Sequence, residues 1–329
     1  MKILNFIFFA TISLFTLTSC DGNTFLSASS AANEVLVIID KDSWEDKAGR
    51  AVYDVLNSPA KGLPQREPNF RIIQITPDNF TSTFKMARNV VIPEISNIYS
   101  EPKLSSELDK YAYGQVLLTI KAPDTTSFVD FLKENTGSIT DYIIEKELER
   151  VGKWLIKDSG TPQTRIQQLF GINIYYPKGL INVQEFENFY WATNNAPRER
   201  RDLVIYQFPY TSESIFEKDS LIAKRNEVLG NNITGSFDSQ MSTATHAYNP
   251  NYKKMEVDGL FRAELRGLWE MTRDMMGGPF VMHAFVNENT NMVVVVEAFI
   301  FAPEKDKRNL MRNMEASLYT ISIPPAENK

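Results

Sequence analysis

The chain has 329 residues, 43% of them hydrophobic, and a formal charge of −6. That is enough apolar material for two ordinary cores, and a mildly acidic balance argues against nucleic acid as a partner. One cysteine and two histidines exclude a disulfide framework and a tight structural zinc site, and no cofactor is expected.

Lys2 is followed by an apolar run over residues 3–17 and then by Leu17-Thr18-Ser19-Cys20. A positive start, an h-region and a small-residue cleavage site make residues 1–19 a signal peptide. The run is shorter than the roughly 20 residues a spanning helix needs. A Leu-x-small-Cys ending resembles a bacterial lipobox, in which Cys20 is acylated and becomes the first residue of the processed chain. The membrane is then a partner through that lipid. Removing residues 1–19 takes away Lys2 and no acid, leaving the remainder slightly more negative. Residues 20–33 are small and polar and read as a lipidated flexible tether.

Val35-Leu36-Val37-Ile38-Ile39 is a continuous apolar run, typical of a strand covered on both faces. Ser43 offers a helix cap with Asp46 three residues on, and Trp44, Ala48, Val52 and Val55 share one helical face. Pro59, Gly62, Pro64 and Pro68 mark a long surface connection. Strands are expected at 70–75, 89–95 and 116–120, with a short helix opened by Pro77-Asp78 and a polar stretch over 96–110. Asp124 caps a helix carrying Phe128, Phe131 and Leu132, and Gly137-Ser138 is expected to break or kink it before a second piece ending near Gly160. Alternating strands and helices predict an N-terminal α/β domain over 34–160.

Thr161-Pro162-Gln163 opens a linker over 161–170. Beyond it, strands with aromatic alternation are expected at 172–176, 189–193 and 203–208, then a helix at 218–229. Further strands follow at 253–257, 260–269, 279–286 and 292–301, and a helix at 307–319. The fold class is therefore α/β (α+β): two domains, the second a largely antiparallel α/β sandwich over 171–322, with a tail over 323–329.

Several blocks in this order carry a resemblance. They are Ala263-Glu264-Leu265-Arg266-Gly267-Leu268-Trp269, Met276-Gly277-Gly278-Pro279-Phe280 and Asp306-Lys307-Arg308-Asn309, with Glu34 to Asp40 and Gly62-Leu63-Pro64-Gln65 earlier. Together they resemble a family of Bacteroidota envelope lipoproteins known only as a domain of unknown function. The resemblance implies a periplasm-facing or surface lipoprotein and brings no catalytic residues. Ile174-Tyr175-Tyr176-Pro177-Lys178-Gly179, followed by Leu203-Val204-Ile205-Tyr206, is similar to the opening of PsbP/Mog1-like domains, which implies a binding or assembly module.

Candidate chemistry is sparse. His246 and His283 stand far apart, and His283 among Phe280, Val281, Ala284 and Phe285 reads as a core or interface histidine. No Gly-x-Ser-x-Gly turn or phosphate loop occurs, and the Ser-x-x-Lys spacings at Ser58 and Ser100 fall in proline-containing loops. The best group lies on the strand at 260–267, where alternation puts Phe261, Ala263 and Leu265 on one face and Arg262, Glu264 and Arg266 on the other. Glu297, amid valines, needs a cation to remain charged, and Arg262 or Arg266 is the expected partner. This group is read first as an ion-pair ladder and second as a ligand site; Glu264 with Glu297 is an open carboxylate pair. Trp269, Met275, Met276, Gly277 and Gly278 suggest an apolar, adaptable loop suited to a partner contact.

The leading expectation is a non-enzymatic lipoprotein of the cell envelope, at the outer membrane rather than the inner one. It would act through an envelope protein partner in outer-membrane assembly, transport or maintenance. The alternative is a periplasmic ligand-binding protein or hydrolase using Arg262, Glu264, Arg266 and Glu297.

Overall fold

A computed structural model describes residues 26–161 and 163–325. Cys20, the expected signal peptide over 1–19, the first part of the expected tether and the end of the tail lie outside the described residues.

The first domain holds β1 (Glu34–Ile38), α1 (Lys41–Glu45), α2 (Lys47–Leu56), β2 (Arg71–Ile75), β3 (Asn89–Ile95), β4 (Lys103–Leu108), β5 (Val116–Ala122) and α3 (Thr125–Ser159). The sheet order is β2-β1-β3-β5-β4. Four strands run parallel, and β4 closes one edge antiparallel to β5. The apolar run of β1 is buried on both faces, as its composition requires. Val35, Val37 and Ile39 pack with α2 and α3, while Leu36 and Ile38 meet Val90 and Leu117 on the reverse side.

Local differences from the sequence reading have local causes. Asp40, not Ser43, caps α1, accepting the Ser43 N–H at 2.9 Å. β4 emerges from the stretch read as polar loop. Its side chains are largely exposed at the sheet edge, so it carries no apolar pattern to detect. Residues 27–29, assigned to the tether, are fastened down: the Ala28 N–H donates to the Tyr113 carbonyl at 2.9 Å and Ser29 to Met86 at 2.9 Å. Helix α3 runs unbroken for 35 residues, about 50 Å at 1.5 Å per residue. Gly137 sits on its solvent side with nothing near its missing Cβ, so it costs propensity, about 1 kcal/mol, and no packing.

The second domain begins with α4 (Thr164–Phe170), which replaces the expected linker. It continues with β6 (Asn182–Phe186), β7 (Phe189–Thr193), β8 (Arg200–Pro209), α5 (Lys218–Asn232), β9 (Met241–Thr243), β10 (Asn251–Val257), β11 (Leu260–Met271), β12 (Gly277–Asn287), β13 (Met292–Phe301) and α6 (Arg308–Glu315), then a 3-10 turn over Ala316–Thr320. The antiparallel sheet runs β10-β11-β12-β13-β8-β7-β6, with β9 on β11. Helix α5 covers one face; α4, α6 and the 3-10 turn cover the other. Residues 172–176 were expected as a strand but form an extended segment joined by a single bridge, Asn173 to Ser322. Ile172, Ile174 and Tyr176 do point into the core, so the alternation is real and only the strand partner is missing.

The two domains share α6 and the loop over 58–69. Glu67 of the first domain accepts the Lys307 and Arg308 N–H groups at 2.7 and 2.8 Å, so one domain supplies the N-terminal cap of the other's helix. Arg312 of α6 reaches back to the Asn33 side chain and the Asn69 carbonyl, both at 2.7 Å. Helix α3 packs onto the 3-10 turn at Gly152, where a Cβ would stand in ordinary contact, 3.4 Å from the Ala316 carbonyl. Leu148 and Leu155 bury their side chains against Ala316 and Tyr319. The proline-rich loop is thus an interdomain contact and not a free surface connection.

Candidate functional site

Strand β11 alternates as expected. Ala263 and Leu265 join the core under α5, and Arg262, Glu264 and Arg266 face α6, the 3-10 turn and the first domain. Pairing of β11 with β12 sets Glu264 opposite His283, a fully buried residue absent from the expected group. His283 Nε2 lies 3.4 Å from Glu264, and Nδ1 lies 3.4 Å from the Arg262 guanidinium. Arg262 also donates to the Leu318 carbonyl and, at 3.1 Å, to that of Ile321. It therefore holds the C-terminal turn on the sheet. Arg266 forms a two-pronged pair with Glu315 of α6, one prong at 3.0 Å, and lies 3.5 Å from Glu264.

Electrostatics follow from this crowding. Burial pushes the Glu264 carboxyl up, but Arg266, His283 and Lys253 outweigh it and hold the group below the ordinary carboxylate range. Burial works against the Arg266 charge, and Glu315 with Glu264 more than restores it. Arg262 has no carboxylate paired to it, and burial, opposed only by Tyr319 and Asp258, brings it down to about 10. Burial also lowers His283, with Glu264 opposing. A neutral ring facing a guanidinium on Nδ1 must carry its proton on Nε2, toward Glu264.

Glu297 does not belong to this group. On β13 it shares the face of Val293, Val295 and Phe299, under α5, so the sheet separates it from Arg262 and Arg266. Its cation is Arg225 of α5, bound through two hydrogen bonds at 2.8 and 2.7 Å with no exposure of either side chain. Arg225 also reaches the Thr243 hydroxyl at 3.0 Å and lies over the Phe280 ring at 3.9 Å. Burial pushes the Glu297 carboxyl up and Arg225 opposes it. Glu264 and Glu297, on opposite faces, cannot act as a carboxylate pair across one bond. A signal for Arg225 was present: Leu221, Arg225 and Leu229 recur every four residues, which places a cation in an apolar helical stripe. Met311 and Glu315 mark α6 in the same way.

The expected partner-contact loop also divides. Trp269 is buried, its indole N–H donating to the Ile300 carbonyl at 3.1 Å and its ring edge-on to Phe299. Gly277 and Gly278 open β12, and a Cβ on Gly278 would overlap the Ile300 carbonyl. They are glycines because another strand passes there. Met276 is half-buried, and only Met275 stands fully in solvent on the hairpin turn.

Arg266, Glu264 and Glu315 form the inner wall of an interdomain cleft of about 250 Å³. Lys61, Asp141 and Lys253 stand at its mouth, with Lys61 and Asp141 paired at 3.1 Å. Every buried charge in its wall meets a counter-charge or carbonyl from the chain itself. Among the described residues no three His, Cys, Asp or Glu side chains are placed to hold a metal, and no helix is long and apolar enough to cross a membrane.

Residues 159–320 match a family described as a domain of unknown function, DUF4837, and residues 28–155 match a second, DUF8532. No curated protein matches. Among solved structures, the Saccharomyces cerevisiae Ran-binding protein Mog1p is 10% identical, with 46% of this chain and 90% of that chain covered and a TM-score of 0.31. A point variant of Mog1 is 9% identical over the same shares, also at 0.31.

Proposed function

We propose that this protein is a lipid-anchored envelope lipoprotein that works through protein contacts and not through catalysis, in assembly, transport or maintenance of the outer membrane. The observation that carries the reading is the consumption of the candidate group by the fold. Arg266 is spent on Glu315, Arg262 on main-chain carbonyls and Glu297 on Arg225, so the polar groups a substrate would need are already occupied. The anchor rests on Cys20 and the sequence before it.

Mild crosslinking in intact cells followed by purification tests it. A reproducible envelope protein, with crosslinks mapping to the Met275 turn, supports the reading; recovery only as an isolated monomer overturns it. Fatty-acid labelling that persists in Cys20→Ala would remove the anchor. The second reading, a ligand-binding protein, now rests on the cleft with Lys61 and Lys253 at its mouth. It requires small anions to raise the melting temperature and Lys253→Ala to cancel that rise.

A further inference from the structure

A second and larger concavity, of about 780 Å³, lies where the chain enters the first domain. Its walls come from one face of α3, with Lys146, Arg150, Lys153, Trp154 and Lys157 at helical spacing, and from Leu108 and Tyr113 beside β5. The entering chain forms part of the rim. The Tyr113 N–H donates to the Leu26 carbonyl and the Ala28 N–H to the Tyr113 carbonyl, each at 2.9 Å.

Two properties set this face apart. It is aromatic and apolar in the open: Leu26, Tyr113 and Trp154 are 73%, 61% and 56% exposed. It is also cationic on a chain whose net charge is −6. Of the nearby acids, Glu147 is taken by Arg150 at 2.9 Å, Glu149 by Lys146 at 2.6 Å and Asp158 by Lys178 at 3.0 Å, while Asp109 in the wall accepts the Gly114 N–H and leaves the cations in excess. Lys153 and Lys157, both exposed, have no ion-pair partner among the described residues. Exposed Trp and Tyr with uncompensated lysines is the composition that settles at the headgroup level of an anionic bilayer.

Position agrees with composition. Cys20 precedes Leu26 by six residues, and six residues extend to about 20 Å at most. If Cys20 carries the lipid, this face cannot leave the neighbourhood of the bilayer. We propose that it lies on the anionic phospholipid surface of the membrane, with Trp154 and Tyr113 among the headgroups and Lys153 and Lys157 on the phosphates. The proposal rests on the lipid-anchor reading and adds to it a fixed orientation of the first domain.

The test uses the full-length protein as processed by its host, reconstituted into vesicles of phosphatidylcholine alone or with phosphatidylglycerol, both with brominated acyl chains. The chain has four tryptophans, so the difference between the parent and Trp154→Phe isolates the Trp154 emission. Trp154 should be quenched in the anionic vesicles, and Lys153→Gln/Lys157→Gln should lose that quenching while melting at the parent temperature. No quenching in either vesicle overturns the proposal, and so does equal quenching in both. Fatty-acid labelling of the same sample separates the two readings. Labelled protein with unquenched Trp154 keeps the anchor and loses the face. Unlabelled protein with quenched Trp154 keeps the face and loses the anchor.

Discussion

Glu297 and Arg225 meet with both side chains fully buried, and their worth lies in being paired. Glu297→Gln should cost about 3–5 kcal/mol, because Arg225 is left charged in an apolar layer. Replacing both, Glu297→Met with Arg225→Met, should restore most of that loss, since similar apolar volume needs no partner. Thermal melts of the single and double variants read this directly. A fully stable Glu297→Gln would show that the guanidinium finds another acceptor. At His283 the expectation concerns pH. Burial holds its folded value below the ordinary 6.5, so the unfolded chain takes the proton first. Stability is complete above 6.5 and is lost as pH falls below it. His283→Gln should flatten that decline, checked by melting temperatures between about pH 7.5 and 5. The carboxylate beside it acts in a lower window: Glu264, held below its ordinary 4.5, contributes stability above that value that is lost on further acidification.

Helix α6 depends on a cap it does not own. With Lys307 at its N-cap position making no side-chain cap bond, Glu67 accepts the first two of its free N–H groups, those of Lys307 and Arg308. Glu67→Ala should therefore cost about 1–2 kcal/mol in denaturant unfolding. The same change should expose α6 to amide exchange ahead of the sheet beneath it. At the β11–β12 hairpin, Gly278→Ala should be strongly destabilising because its Cβ overlaps the Ile300 carbonyl. Met275→Ala, at a fully exposed side chain, should leave the melting temperature unchanged. Elements with strong patterns were legible: β1 from its unbroken apolar run, β13 from its valines, α5 from its spacing. Edge strands β4 and β6, largely exposed along their length, carry hydrogen bonds and little apolar signal, so composition could not reveal them.

The molecule as a whole is two cores tied by polar groups and one long helix. The first half of α3 buries Phe128, Leu132 and Ile139 in the first core. Its second half packs Leu148 and Leu155 against the C-terminal turn of the second domain. Protease should cut near Gly160 to Gln163, where the chain leaves α3, and spare the loop over 59–68, whose Gly62 donates to the Tyr248 hydroxyl at 3.0 Å. The two fragments should then co-elute in size-exclusion chromatography and separate only in denaturant. Separation without denaturant would mean that Glu67, Arg312 and the α3 contact are too weak to hold the domains together.

The sequence by itself determined the two-domain α/β architecture, the alternation that sends Arg262, Glu264 and Arg266 to one face of β11, and the burial of Glu297. Those follow from periodicity and composition, which act over a few residues. Which charge meets which was decided only in the tertiary structure. Glu297 lies on the β13 face that turns away from Arg262 and Arg266, so its counter-charge comes from α5, 72 residues earlier in the chain. His283 enters beside Glu264 through strand register, and Glu67 reaches α6 across 240 residues. A side chain's own pattern fixes whether it is buried, but the partner that makes burial tolerable is set by how layers stack, and that information is spread over the whole chain.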